Sequence, residues 1–196
     1  MNGHLLIYVA VVIAAALLVN IFRSRGDWLE ASPAEGNRLK EFGKNIRLRD
    51  LFRLAAIMEE DGRDFYLKMA EKALDKKTRE LCQRLAGEET EHMQLFLNRL
   101  SHWKPLAASI ITWPSFLKKV KQEGFLEDAP DENSSEDQMA EYAIQQEIKA
   151  ARFYQMFETA FPEAWKRVHI QQLVLQERSH EAELRAAYPH LSPKKE

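Results

Sequence analysis

The sequence predicts an all-α protein: a four-helix bundle of two repeated helix hairpins with a long crossover, preceded by an N-terminal transmembrane helix. Three observations carry that prediction. The stretch Leu85 to Phe96, LAGEETEHMQLF, sets Glu89 and His92 three residues apart among good helix formers, so both side chains leave one face of a helix. A second Glu-x-x-His, Glu177 to His180, follows at an offset of 88 positions; the same offset carries Glu59 onto Glu147, Phe65 onto Phe153 and Tyr66 onto Tyr154. Ahead of both copies, the run from Leu5 to Val19 is apolar throughout, and Asn20, Ile21 and Phe22 extend it to Arg23.

That run is the first element. About 18 residues at about 1.5 Å each span roughly 27 Å, close to the hydrocarbon core of about 30 Å. A cleaved secretory signal is the competing reading. It would want Lys or Arg before the apolar run and a small-x-small site after it, and the sequence has neither, so residues 1–23 are expected to be an uncleaved single-pass anchor. Arg23, Arg25, Arg38, Lys40, Lys44, Arg47 and Arg49 all follow the span, which by the positive-inside tendency places the C-terminal domain in the cytoplasm. Residues 24–46, with Gly26, Pro33, Gly36 and Asn37 among mixed charges, have the composition of a tether.

Residues 47–74 and 78–100 form the first predicted hairpin. Leu81, Leu85, His92 and Phe96 fall on one helical stripe, and Glu89 lies inside it. An ionised carboxylate in such a stripe is stable only when paired, hydrogen-bonded or bound to metal. Residues 101–135 are too long for a tight turn and contain Pro105, Pro114, Gly124 and Pro130, so they are expected to cross over between hairpins, with an amphipathic piece around Phe116 to Val120. The acidic run Glu127 to Asp137 leads into the second hairpin, residues 136–160 and 163–187. The bundle is expected to occupy 47–190, with 191–196 as a tail.

Each half then offers one Glu from its first helix and a Glu-x-x-His from its second. The midpoint between Glu59 and Glu89 is Leu74, and that between Glu147 and Glu177 is Pro162; folding back at these points brings both ligand sets to one height. Six candidate metal ligands follow: Glu59, Glu89, His92, Glu147, Glu177 and His180. Four carboxylates and two imidazoles in a bundle core suit a pair of divalent ions, and a carboxylate-rich set without thiolate favours iron, with manganese as the alternative.

The strings AAIMEEDGRDFY, LAGEETEH, YAIQQEIKAARFY and LVLQERSH resemble the four helices of the rubrerythrin branch of the ferritin-like proteins. The resemblance implies a ferritin-like fold and a non-haem di-iron centre, held by those six residues, that reacts with hydrogen peroxide or dioxygen. It also implies a homodimer. Two departures stand out: family members have a further Glu one turn after the third-helix ligand, where this chain has Ala150, and commonly a rubredoxin domain with four Cys, where this chain has only Cys82. Peroxidase turnover would therefore need an external electron donor protein, whereas ferroxidase turnover would take electrons from Fe(II) itself.

Two further function classes share these features. The ligand order is also similar to that of demethoxyubiquinone hydroxylase, which makes a di-iron oxygenase or quinol oxidase acting on a membrane substrate the first alternative. A non-enzymatic iron-handling or interaction module is the second. A net charge of −2 gives no case for nucleic acid, and one cysteine excludes an intramolecular disulfide framework. Tyr66 and Tyr154 suit a hydrogen bond to a carboxylate, a redox role or simple core packing. Gly62 and Ala150 suit either space for an oxidant or close helix contact. His4, His102, His169 and His190 lack the repeat symmetry and are not expected to be ligands.

Overall fold

The computed structural model describes residues 48–101, 107–131, 133–161 and 165–191. Five α-helices run through them: α1 (Leu48–Lys72), α2 (Lys76–Ser101), α3 (Ala107–Gln122), α4 (Glu136–Phe157) and α5 (Gln171–Ala187), with no strand among the described residues. The anchor and tether expected over 1–46 lie outside the described residues. Among the described residues, no helix is long and apolar enough to cross a membrane.

α1 and α2 form an antiparallel hairpin, with Phe52 against Phe96, Glu59 beside His92 and Gly62 beside Glu89. The turn falls at Leu74, which is 89% exposed. Asp75 starts α2 by accepting a hydrogen bond from the Thr78 backbone N–H at 3.0 Å, a local bond that satisfies one of the helix's free donors. In α4, Ser135 and Gln138 form a reciprocal capping box, and Glu136 and Asp137 put negative charge against the positive end of the helix dipole. α4 and α5 are likewise antiparallel, with Glu147 beside His180 and Tyr188 reaching back to Glu136.

The crossover differs from its sequence reading. The amphipathic piece expected around Phe116 to Val120 is part of a 16-residue helix, α3, that contains Pro114. Proline removes one backbone donor and disfavours a helix interior, but Phe116 and Val120 are buried against the bundle and Phe116 meets Phe157 edge-on, so tertiary packing holds the helix together. Gly124 ends it at φ +77°, with Phe125 N–H bonding to Val120 O and Gly124 N–H to Lys121 O. That closing turn needs a left-handed residue, which glycine adopts without strain.

The fourth bundle helix also differs. Instead of regular α-helix from 163, a π-helical turn, Lys166–Ile170, precedes α5. A π turn holds an extra residue and so rotates the following face by about 100° relative to continuous α-helix. It carries the buried Ile170, and Trp165 just before it packs on Phe52 at 4.6 Å between ring centroids. Leu191, expected to open the tail, belongs to the closing 3-10 turn Pro189–Leu191 and packs on the core.

Two apolar layers fill the bundle. One gathers Leu51, Phe52, Phe96, Phe125, Phe153, Phe157 and Ile170; the other gathers Phe65, Met69, Cys82, Leu85, Ile144 and Leu184. Along every bundle helix the switch between layers falls at a candidate ligand: Glu59 in α1, Glu89 and His92 in α2, Glu147 in α4, Glu177 and His180 in α5. The six polar side chains therefore form a buried band between two hydrophobic layers.

Candidate metal centre

All six residues singled out by the repeat converge on this band, each no more than 5% exposed. They form two overlapping groups of ligand atoms, each within 4.8 Å of one another: Glu59, Glu89, His92 and Glu177 in the first, and Glu89, Glu147, Glu177 and His180 in the second. Glu89 and Glu177 belong to both.

The oxygen assignment explains that sharing. Glu89 turns Oε2 toward His92 Nδ1 at 3.4 Å and Oε1 toward His180 Nδ1 at 3.3 Å. Glu177 turns Oε1 toward His92 Nδ1 at 3.4 Å and Oε2 toward His180 Nδ1 at 3.7 Å. Each carboxylate thus spans two ligand positions. Glu59 serves only the first, with Oε2 3.3 Å from His92 Nδ1, and Glu147 only the second, with Oε2 3.4 Å from His180 Nδ1.

Tyr66 and Tyr154 hold the outer carboxylates, and they do so across the bundle. Tyr66 donates to Glu147 Oε1 and Tyr154 donates to Glu59 Oε1. Each tyrosine on one hairpin pins the other hairpin's carboxylate. Pinning one oxygen leaves the second, Oε2, turned toward the centre.

Polar atoms this deep normally have hydrogen-bond partners. Here Nδ1 of both histidines, Glu147 Oε2 and Glu177 Oε1 have none, although all are buried. Their contacts with one another, 3.3–3.7 Å, converge without forming aligned hydrogen bonds. Orphaned donor atoms aimed at common points are what a cation would satisfy, and four carboxylates balance two divalent charges. The donor set and the orphaned atoms fit a di-iron or other di-metal site.

Protonation follows the same logic in the metal-free centre. Burial, then the neighbouring Glu89, pushes the Glu59 carboxyl up to about 8. Burial also lifts Glu177 well above the usual carboxylate range, with Glu89 and Glu59 adding to it. For the imidazoles burial opposes the charge, but Glu59 and Glu89 outweigh it and raise His92 to about 10; Glu147 and Glu89 raise His180 to about 11. Protons thus occupy the place of metal charge.

A cavity of about 310 Å³ runs from the exposed side chains of Asp61, Asp64, Glu127 and Asp128 to the buried Glu59, Glu147 and Glu177. Gly62 and Ala150 line it where larger residues would intrude. A Cβ added at Gly62 would meet the Glu89 carboxylate carbon at 3.6 Å, an ordinary contact, so the glycine lets α1 pass close beside a candidate ligand.

Sequence reasoning missed Glu88, whose Oε2 lies 2.8 Å from His180 Nε2. Its place beside Glu89 turns it off the ligand face of its own helix, and nothing in a one-dimensional pattern shows that α5 brings a histidine to meet it. Among the expected non-ligands, His169 packs tilted against Trp165 and His190 pairs with Asp137 at the surface, both apart from the centre.

A protein-family model described as Rubrerythrin matches residues 50–188. Comparison with curated proteins and with solved structures gives no match.

Proposed function

The chain belongs to the rubrerythrin family, and on that premise we propose that it is a membrane-anchored, non-haem di-iron oxidoreductase that reduces hydrogen peroxide or oxidises Fe(II). The observation that carries this reading is the pair of four-ligand groups sharing Glu89 and Glu177. A shared pair of carboxylates would hold two ions, and two such ions would supply two electrons to one oxidant.

Glu59 and His92 would complete one position, and Glu147 and His180 the other. When bound, two ferrous ions supply the two electrons that, with two protons, convert hydrogen peroxide to two waters. The protein supplies the rest. Glu89 and Glu177 keep the two positions adjacent; Tyr66 and Tyr154 restrain the outer carboxylates; the two apolar layers exclude bulk water above and below. Gly62 and Ala150 leave the cavity open to a small oxidant. At its mouth Asp64 pairs with Arg63 and Glu127 with Lys149, while Asp61 and Asp128 add negative charge that would draw in a cation, which supports Fe(II) as a substrate. Re-reduction after peroxide turnover falls to an external donor protein.

Anchoring rests on the Leu5 to Val19 run, which precedes the described residues. Retention of the protein in membranes washed with alkaline carbonate is expected; its release would remove the anchor from the reading.

Full-length protein in detergent, loaded anaerobically with two equivalents of Fe(II), tests the chemistry. Mixing with peroxide or dioxygen is expected to raise ferric absorbance faster than oxidation of free Fe(II). Faster reaction with peroxide supports the peroxidase arm, and faster reaction with dioxygen the ferroxidase arm. Oxidation no faster than in solution overturns both.

A further inference from the structure

The two imidazoles of the centre differ in what stands behind them. His180 Nε2 meets Glu88 Oε2 at 2.8 Å, and Glu88 Oε1 in turn receives Arg84 Nη1 at 2.5 Å. Arg84 reaches across to Glu183 of α5, so Glu88 is held from two sides. His92 has no such support: its Nε2 is buried and without a hydrogen-bond partner.

The repeat shows that this asymmetry is written into the sequence. At the offset of 88, Glu88 corresponds to Gln176, Arg84 to Gln172 and Glu183 to Leu95. Gln176 and Gln172 are both exposed. Among the described residues, the charged network behind His180 therefore has no counterpart behind His92.

The difference matters to ligand chemistry. Receiving its charge-assisted bond from Arg84, Glu88 is an acceptor, so the proton between it and His180 sits on Nε2. With a cation bound, that tautomer would leave the Nδ1 lone pair free to serve the same point as Glu89, Glu147 and Glu177. A carboxylate behind an imidazole both orients the ring and makes it a stronger donor to a cation. His92 has neither aid, and its buried N–H stays unsatisfied whenever Nδ1 is the ligand.

We propose that Glu88 is a positioning residue that makes the metal position at His180 and Glu147 bind its ion more tightly than the position at His92 and Glu59. The centre then fills in order, His180 side first, although its six ligands are symmetric in kind. This rests on the di-metal reading above.

The test is titration of metal-stripped, full-length protein in detergent with Co(II), followed by its visible absorption and by competition with a chelator of known affinity. Two separable binding steps are expected. Glu88→Gln keeps the shape but removes the charge, and is expected to weaken the tighter step about 10- to 100-fold while leaving the other unchanged. Gln176→Glu offers His92 the partner it lacks and is expected to tighten the weaker step. Two equal steps in the unaltered protein, or Glu88→Gln with both steps unchanged, overturn the proposal alone. No uptake of Co(II) overturns the di-metal reading beneath it.

Discussion

Stripping the metal should reverse how stability depends on pH. In the metal-free protein Glu59 is raised from 4.5 to about 8, His92 from 6.5 to about 10 and His180 from 6.5 to about 11. All three shifts are upward, so the native cluster holds protons that the unfolded chain has released. Their stabilising contribution is complete below the unfolded values and fades as pH rises, from 4.5 to about 8 for Glu59 and from 6.5 to about 10 or 11 for the imidazoles. Each excess proton is worth about 1.4 kcal/mol per pH unit. These three together contribute up to about 4 kcal/mol per unit near pH 7, a large share of the roughly 5–15 kcal/mol that holds a domain folded, and the raised Glu177 adds in the same direction. Metal binding requires the same groups deprotonated, so affinity, and the stabilisation it brings, grows with pH. Urea unfolding at pH 6, 7 and 8, with and without chelator, should therefore show a gap between loaded and stripped protein that widens by at least about 2 kcal/mol over the range. Stripped protein that is as stable at pH 8 as at pH 6 would refute the shared-proton account of the centre.

Three other outcomes follow from the geometry. Glu89→Ala or Glu177→Ala should abolish binding of both metals, because each carboxylate serves two positions, whereas Glu59→Ala or Glu147→Ala should leave about one per chain; metal analysis after dialysis distinguishes bridging from terminal roles, and equal losses from all four would contradict it. Gly62→Leu should retain metal but slow oxidation at least about tenfold by filling the cavity beside Glu89, while Gly62→Ala, whose methyl makes only ordinary contact with Glu89, should stabilise α1 by about 1 kcal/mol; full reactivity in Gly62→Leu would mean that the oxidant enters elsewhere. Ser135→Ala should lower unfolding free energy by about 1 kcal/mol through loss of the α4 cap, with metal content unchanged.

The arrangement of the bundle explains which of these features sequence patterns reach. Helical spacing puts Glu89 above His92 and Glu177 above His180, whatever the rest of the molecule does, because three residues make nearly one turn. The repeat of 88 then links Glu59 with Glu147 and both tyrosines with each other. These are one-dimensional facts, and with the cost of burying carboxylates they lead to a di-metal bundle. The crossover resisted the same treatment. Pro114 reads locally as a breaker, yet the burial of Phe116 and Val120 outweighs its lost hydrogen bond.

The sequence by itself determined the six candidate ligands and the two hairpins, since both follow from helical periodicity and the repeat. Only the tertiary structure decided that Glu89 and Glu177 span both positions, that each tyrosine grips the opposite hairpin's glutamate, and that Glu88 stands behind His180 while His92 Nε2 has no partner among the described residues. Those relations depend on how one helix is rotated against another, and that rotation is set by the packing of side chains far apart in the chain.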